Sequence, residues 1–218
     1  MHRPLLRGVM VAAAAALAIV PVGLWPSTAG TNARDALVDL LVWGADIPID
    51  LNAYSPDVSA ELHRHLQRYQ AYRSKRPRPV KSGLDAMVYA AWVGYEGKLA
   101  AVSDDPKAPA LAAAYVDRLR PCYEWEGFHD CPEREATFAA EYQTANPGGP
   151  FSDYLPLLAA HRWLCAAEAY EYEKQPEGAA RSRRAYEKTI SAARQSNVLP
   201  IRLAAERLAE RNSCFSKP

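Results

Sequence analysis

Apolar residues recur three and four positions apart through most of this chain, and no stretch shows the strict alternation of a half-buried strand. Residues 36–43 form a short apolar run that predicts a first helix, followed by a loop rich in Asp, Pro and Asn over 44–54. Ser55, Pro56 and Asp57 then read as a helix start: a cap, a residue preset for the first turn, and an acid at the positive end. Val58, Leu62, Leu66 and Tyr69 follow at helical spacing until the basic, proline-broken stretch 74–79. Ser82 and Asp85 resemble a capping box. After it, Leu84, Val88, Ala91, Tyr95, Leu99 and Val102 share a face, and the other faces are apolar too from Ala86 to Tyr95. A helix apolar nearly all round is buried on several sides, so this segment is the expected central helix. Gly94 and Gly97 within it are expected to admit a closely packed neighbour.

Further helices are predicted after Asp104-Asp105-Pro106, from the capping box at Asp130 to Ala145, and over 152–174, 176–195 and 200–211. The expected fold is all-α: seven or eight helices in antiparallel hairpins, forming a single domain over 30–218 with a soft boundary near 74–81.

The N-terminus changes the setting. Arg3 and Arg7 precede an uncharged, largely aliphatic run over 8–24, then Pro26 and the small residues Ser27, Thr28 and Ala29. This is the tripartite pattern of a secretory signal peptide over 1–29, with cleavage after Ala29; an uncleaved anchor is the competing reading. The expected compartment is the periplasm or the exterior, with no stable membrane span after cleavage. Removing 1–29 takes away two Arg and no acid, leaving 24 basic against 25 acidic residues and a formal net charge of −1. Such a balance gives no general attraction to nucleic acid. Export makes the four cysteines a disulfide framework, expected as Cys122–Cys131 across one short loop and Cys165–Cys214 from a long helix to the C-terminus. Neither gap has the spacing of a zinc pair, and no cofactor motif is present, so no metal or cofactor is expected.

Phe138, Tyr142, Ala145 and Pro150 have the spacing of the second half of a tetratricopeptide repeat. The stretch resembles the joint between helices in helical-repeat proteins of the bacterial envelope, over about one repeat. The resemblance implies stacked helix pairs that bind peptides or partner proteins, and no catalysis.

Candidate chemistry is sparse. His63 and His65 are two positions apart on a helix, so they face different sides and read as part of an exposed basic face. His161, Cys165 and Glu168 share one face of the long helix. His161 and Glu168 suit a hydrolase-type acid–base pair in a cleft, or else a His packed beside a disulfide with a carboxylate partner. The loop from Cys122 to Cys131 holds Tyr123, Trp125 and Phe128 among Glu124, Glu126 and Asp130, either a recognition surface or a lid over the core. Charge is segregated: eleven acids against three bases over 122–177, flanked by basic stretches at 61–81 and 181–211. The function expected on this reading is a protein- or peptide-binding or assembly module of the cell envelope, with enzymatic activity left open. A hydrolase and an immunity-type inhibitor are the alternatives.

Overall fold

The computed structural model describes residues 33–44, 49–76, 84–122, 125 and 127–215. The expected signal segment, the Ser82 cap, Tyr123, Glu124 and Glu126 lie outside the described residues. Among the described residues the regular structure is all helical. There are eight α-helices: α1 (Ala33–Trp43), α2 (Pro56–Lys75), α3 (Leu84–Ala101), α4 (Ala108–Leu119), α5 (Asp130–Ala145), α6 (Leu155–Tyr172), α7 (Pro176–Ala193) and α8 (Leu199–Arg211). A short 3₁₀ turn, Leu51–Ala53, precedes α2.

The helix boundaries have local causes. Proline stands at the first or second position of α2, α4, α6, α7 and α8, where its fixed φ suits the helix and its missing N–H costs nothing. Arg120 and Asn212 close α4 and α8 in the left-handed conformation, at φ 50° and 45°. Several consecutive helices pack together, most extensively α6 with α7 and α5 with α6, then α3 with α4 and α2 with α3, while α1 returns to lie against α8.

The central helix is α6, not α3 as the apolar pattern suggested. Leu155, Leu157, Leu158, Ala160, Leu164, Ala166 and Ala167 are all buried, and so are the polar His161 and Arg162. The Ala positions let α5 and α7 approach closely on either side. In α3 the last turns are buried, but Met87 is exposed and Trp92 only half-buried. Periodicity could not see that α6's polar residues find partners inside, nor that α3's N-terminal half lies at the edge. The close approach expected at Gly97 is present: a Cβ there would lie 2.8 Å from Cε2 of the buried Tyr69 on α2.

His65 also departs from expectation. It lies on the buried stripe of α2 with Val58, Leu62 and Tyr69, while His63 is exposed beside Gln67. Burial, and then the adjacent Arg68, push the His65 pKa down to about 4.

Tyr115 centres an aromatic cluster, meeting Phe138 and Tyr142 edge-on at 4.8 Å each and Tyr95 at 6.2 Å. Around it, ion pairs tie sequence-distant segments. Arg207 on α8 holds Asp35 on α1 through two bonds of 2.9 and 2.7 Å, and Arg211 holds Asp39 at 3.0 Å. Glu133 pairs with Arg181 and Glu171 with Arg183, so part of the acidic middle is matched internally by the basic C-terminal stretch.

Gly178 in the first turn of α7 is a closer contact still: a Cβ there would fall 2.5 Å from Cδ1 and Cε1 of Tyr170. That ring cannot retreat freely, because it stacks on His129 at a centroid distance of 3.9 Å and its hydroxyl bonds Glu133. Helix propensity alone would favour Gly178→Ala by about 1 kcal/mol. The expected outcome is the reverse sign, a lower Tm than the parent in thermal unfolding. A higher Tm would show that the α6–α7 contact yields without cost.

Candidate functional site

Cys214 is the buried anchor of residues 212–215, which follow α8. Cys214 bridges to Cys165 on α6, with no exposed surface on either side chain. Its carbonyl accepts from His161 Nε2 at 2.9 Å and from Arg211 Nη2 at 2.9 Å. Its N–H donates to Glu168 Oε1 at 3.0 Å. His161 and Glu168, placed on one helical face by their spacing, therefore grip the same residue from its two backbone groups.

This geometry sets the state of His161. A carbonyl only accepts, so Nε2 carries the proton; Nδ1 then accepts from Arg162 Nη1 at 2.7 Å. The ring is neutral and fully buried. Burial, then the charges of Arg162 and Arg211, hold its pKa well below the usual histidine range. Both ring nitrogens are engaged, and Glu168 is spent on the Cys214 amide. The pair makes a structural clamp, with no nitrogen left to take a substrate proton.

Arg162 is the hub behind the clamp. Its Nε donates to Glu135 on α5 at 2.7 Å and its Nη2 to the Val42 carbonyl at 3.3 Å. Its guanidinium lies 4.4 Å from the Trp43 ring centroid, a cation–π contact. Lys98 reaches the same Val42 carbonyl at 3.0 Å and stands 4.0 Å from the centroid of Tyr95. The end of α1 has no basic residue of its own, so α3 and α6 supply the cations that its terminal carbonyl dipoles favour. Burial, and secondarily Arg162, lower the Lys98 pKa to about 7, with Glu135 acting the other way.

Trp43 carries this buried cluster to the surface. Its ring meets His161 edge-on at 4.9 Å and stacks on Phe215 at 5.7 Å. Trp125 stacks on Phe215 at 5.3 Å and on Trp43 at 6.1 Å, and its Nε1 donates to the Phe128 carbonyl at 2.6 Å. Trp125 is half-buried, whereas Phe128 and Phe215 are 51% and 52% exposed. The loop is fastened by the Cys122–Cys131 bridge and by His129, whose backbone N–H and ring Nδ1 both meet the Glu173 carboxylate at 2.8–2.9 Å. The result is an aromatic shelf of Trp43, Trp125 and Phe215, to which the exposed Phe128 is tied through its backbone carbonyl, pinned by both disulfides.

The structure thus brings Trp125 and Phe128 together with the Cys165–Cys214 clamp, which nothing in the sequence had linked. Trp43, Phe215, Glu135, Lys98 and Arg162 were not singled out from the sequence. The adjacency of Phe215 to Cys214 was the one available hint. His161, Cys165 and Cys214 offer ligand atoms within 4.8 Å of one another, but the two sulfurs are joined, and it is the thiolate that binds metal. A groove of about 520 Å³ lies between the ends of α2, α3 and α4. Two of its cations are already paired, Arg68 with Asp104 and Arg76 with Glu96. No helix among the described residues is long and apolar enough to cross a membrane. Comparison of the chain with protein-family models, curated proteins and solved structures finds no match.

The two buried histidines predict acid sensitivity. Their folded-state pKa values lie below the value near 6.5 of an exposed histidine, so below pH 6.5 the unfolded chain binds protons that the folded chain refuses. The share of stability set by these two histidines is therefore full above pH 6.5 and falls on acidification toward pH 4, by about 1.4 kcal/mol per pH unit for each group. Denaturant unfolding at pH 7.5, 6 and 5 should show this slope, and His65→Leu should remove one group's share of it. A stability flat between pH 7 and 5 would contradict the buried neutral state.

Proposed function

We propose that this chain is exported and serves as a protein- or peptide-binding module, with the aromatic shelf as its contact surface. The carrying observation is the shelf itself. Two of the four exposed large hydrophobic side chains among the described residues belong to the shelf or its loop: Phe215 is one of the stacked rings, and Phe128 supplies the carbonyl that Trp125 bonds. The stacked rings are held by two disulfides and a buried ion pair. Rigid aromatic groups presented at a surface lose little entropy on docking and are what binding hot spots use. The resemblance around Phe138 and Tyr142 to helical-repeat proteins of the envelope fits the same reading, and an inhibitor acting by occlusion is one form of it. Export is supported by the charge-then-apolar N-terminus and by both cysteine pairs being bridged. The hydrolase alternative is the weaker reading, because His161 and Glu168 are both committed to Cys214.

Two measurements test this. N-terminal sequencing of the protein from the envelope or medium should find a mature start at Gly30; a start at Met1 in the cytoplasm sinks the export reading. A photoreactive phenylalanine analogue at Phe128 or Phe215 should give discrete adducts in the native compartment. The same analogue at Tyr172, which is 83% exposed and outside the aromatic stack, should not. Phe128→Ala should weaken adduct formation at 215 while changing stability by no more than about 0.5 kcal/mol. Equal labelling at all three positions, or none at the shelf, removes the shelf as a docking surface.

A further inference from the structure

The two disulfides are not equivalent. Cys165 and Cys214 are sealed in the core, whereas Cys122 and Cys131 are both half-buried and open to solvent. Beside the open bridge stands a cation: Arg134 Nη2 lies 3.0 Å from Cys122 Sγ, and the same nitrogen donates to the Arg120 carbonyl at 3.0 Å, which holds it there. Arg134 is exposed and projects from the second turn of α5, so its position is not required by the core. The other end of the bridge is different. Cys131 lies in the first turn of α5, where the helix dipole favours negative charge, but Asp130 and Glu133 already occupy that turn.

We propose that Cys122–Cys131 is a thiol-exchange site, opened by a dithiol donor that attacks Cys131 and expels Cys122 as a thiolate paired with Arg134. The donor's thiolate attacks Cys131 Sγ; a sulfur–sulfur bond forms between donor and Cys131 as the Cys122–Cys131 bond breaks. The electron pair of the broken bond leaves on Cys122. The donor's second thiol then attacks the donor sulfur of the mixed disulfide, closing the donor's own disulfide and releasing Cys131. Two electrons and two protons pass from donor to protein, and the reverse sequence restores the bridge. Exchange is faster when the leaving thiol has the lower pKa, and a guanidinium beside the sulfur lowers it. Opening removes one of the ties that hold the segment carrying Trp125 and Phe128 to α5, leaving the His129–Glu173 contacts in place. The exchange chemistry stands apart from the binding reading, since it needs no partner at the shelf.

The test uses the whole folded protein without denaturant. Dithiothreitol is added, the reaction is acid-quenched at intervals, and free thiols are alkylated and mapped by peptide mass. Cys122 and Cys131 should become alkylated at least about tenfold faster than Cys165 and Cys214. With glutathione as a monothiol probe, the first mixed disulfide should map to Cys131. Arg134→Ala should slow opening about tenfold while Arg134→Lys keeps most of the rate, because only the charge is needed beside Cys122. In the reduced protein, the pH midpoint for alkylating Cys122 should rise in Arg134→Ala. Two bridges opening together at the rate of global unfolding, a first adduct on Cys122, or an unchanged rate in Arg134→Ala would each overturn the proposal. The adduct mapping needs no variant, so it stands whatever the substitutions do to folding.

Discussion

Arg162 carries a charge into the interior on the central helix, and the arrangement of α1, α5, α6 and the segment around Cys214 follows from the need to satisfy it. Burying a cation without partners costs several kcal/mol, so the fold is acceptable only where every face of the guanidinium is met. Glu135 on α5 meets Nε, the Val42 carbonyl at the end of α1 meets Nη2, and His161 meets Nη1. Trp43 covers the π face. Each partner then has its own consequence. Because Nη1 is a donor, His161 must accept at Nδ1, so its proton sits at Nε2 and finds the Cys214 carbonyl. The position of Cys214 is thereby set by a chain of hydrogen bonds that begins with a charge on α6.

That chain also explains why the aromatic shelf sits where it does. Cys214 cannot be placed without Phe215 following it, and Trp43 cannot cover Arg162 without turning its other side outward. The shelf is the outer side of the ion-pair cluster, and its rings inherit rigidity from the core beneath. The two disulfides divide the labour. One seals Cys214 inside, and the other closes the loop that adds Trp125 from a segment otherwise held through His129 and Glu173.

Much of the architecture was legible because its causes are local. Prolines at helix starts act within a few residues of themselves. The pairing of Cys122 with Cys131 follows from a short intervening loop, which leaves Cys165 and Cys214 to each other. The centre of the fold was not legible. A polar pair such as His161–Arg162 reads as an interruption in an apolar stripe, and only the presence of Glu135 and Val42 turns it into core. His65 was misread for the same reason: its face of α2 is apolar on either side, but the imidazole itself reads as surface.

By itself, the sequence determined the helical class, most helix starts, the disulfide pairing and the location of one aromatic loop, because helix propensity, proline placement and chain closure are set by neighbours along the chain. The caps expected at Ser55 and Asp130, by contrast, make no side-chain cap bond. The tertiary structure alone decided which helix is central, that His161 and Glu168 clamp one residue instead of sharing a proton, and that Trp43, Trp125 and Phe215 form a single surface. Those outcomes depend on contacts between α1, α6 and the C-terminal segment. Residues so far apart in sequence meet only once buried charges have found their partners, and periodicity along one helix carries no record of what the other helices bring.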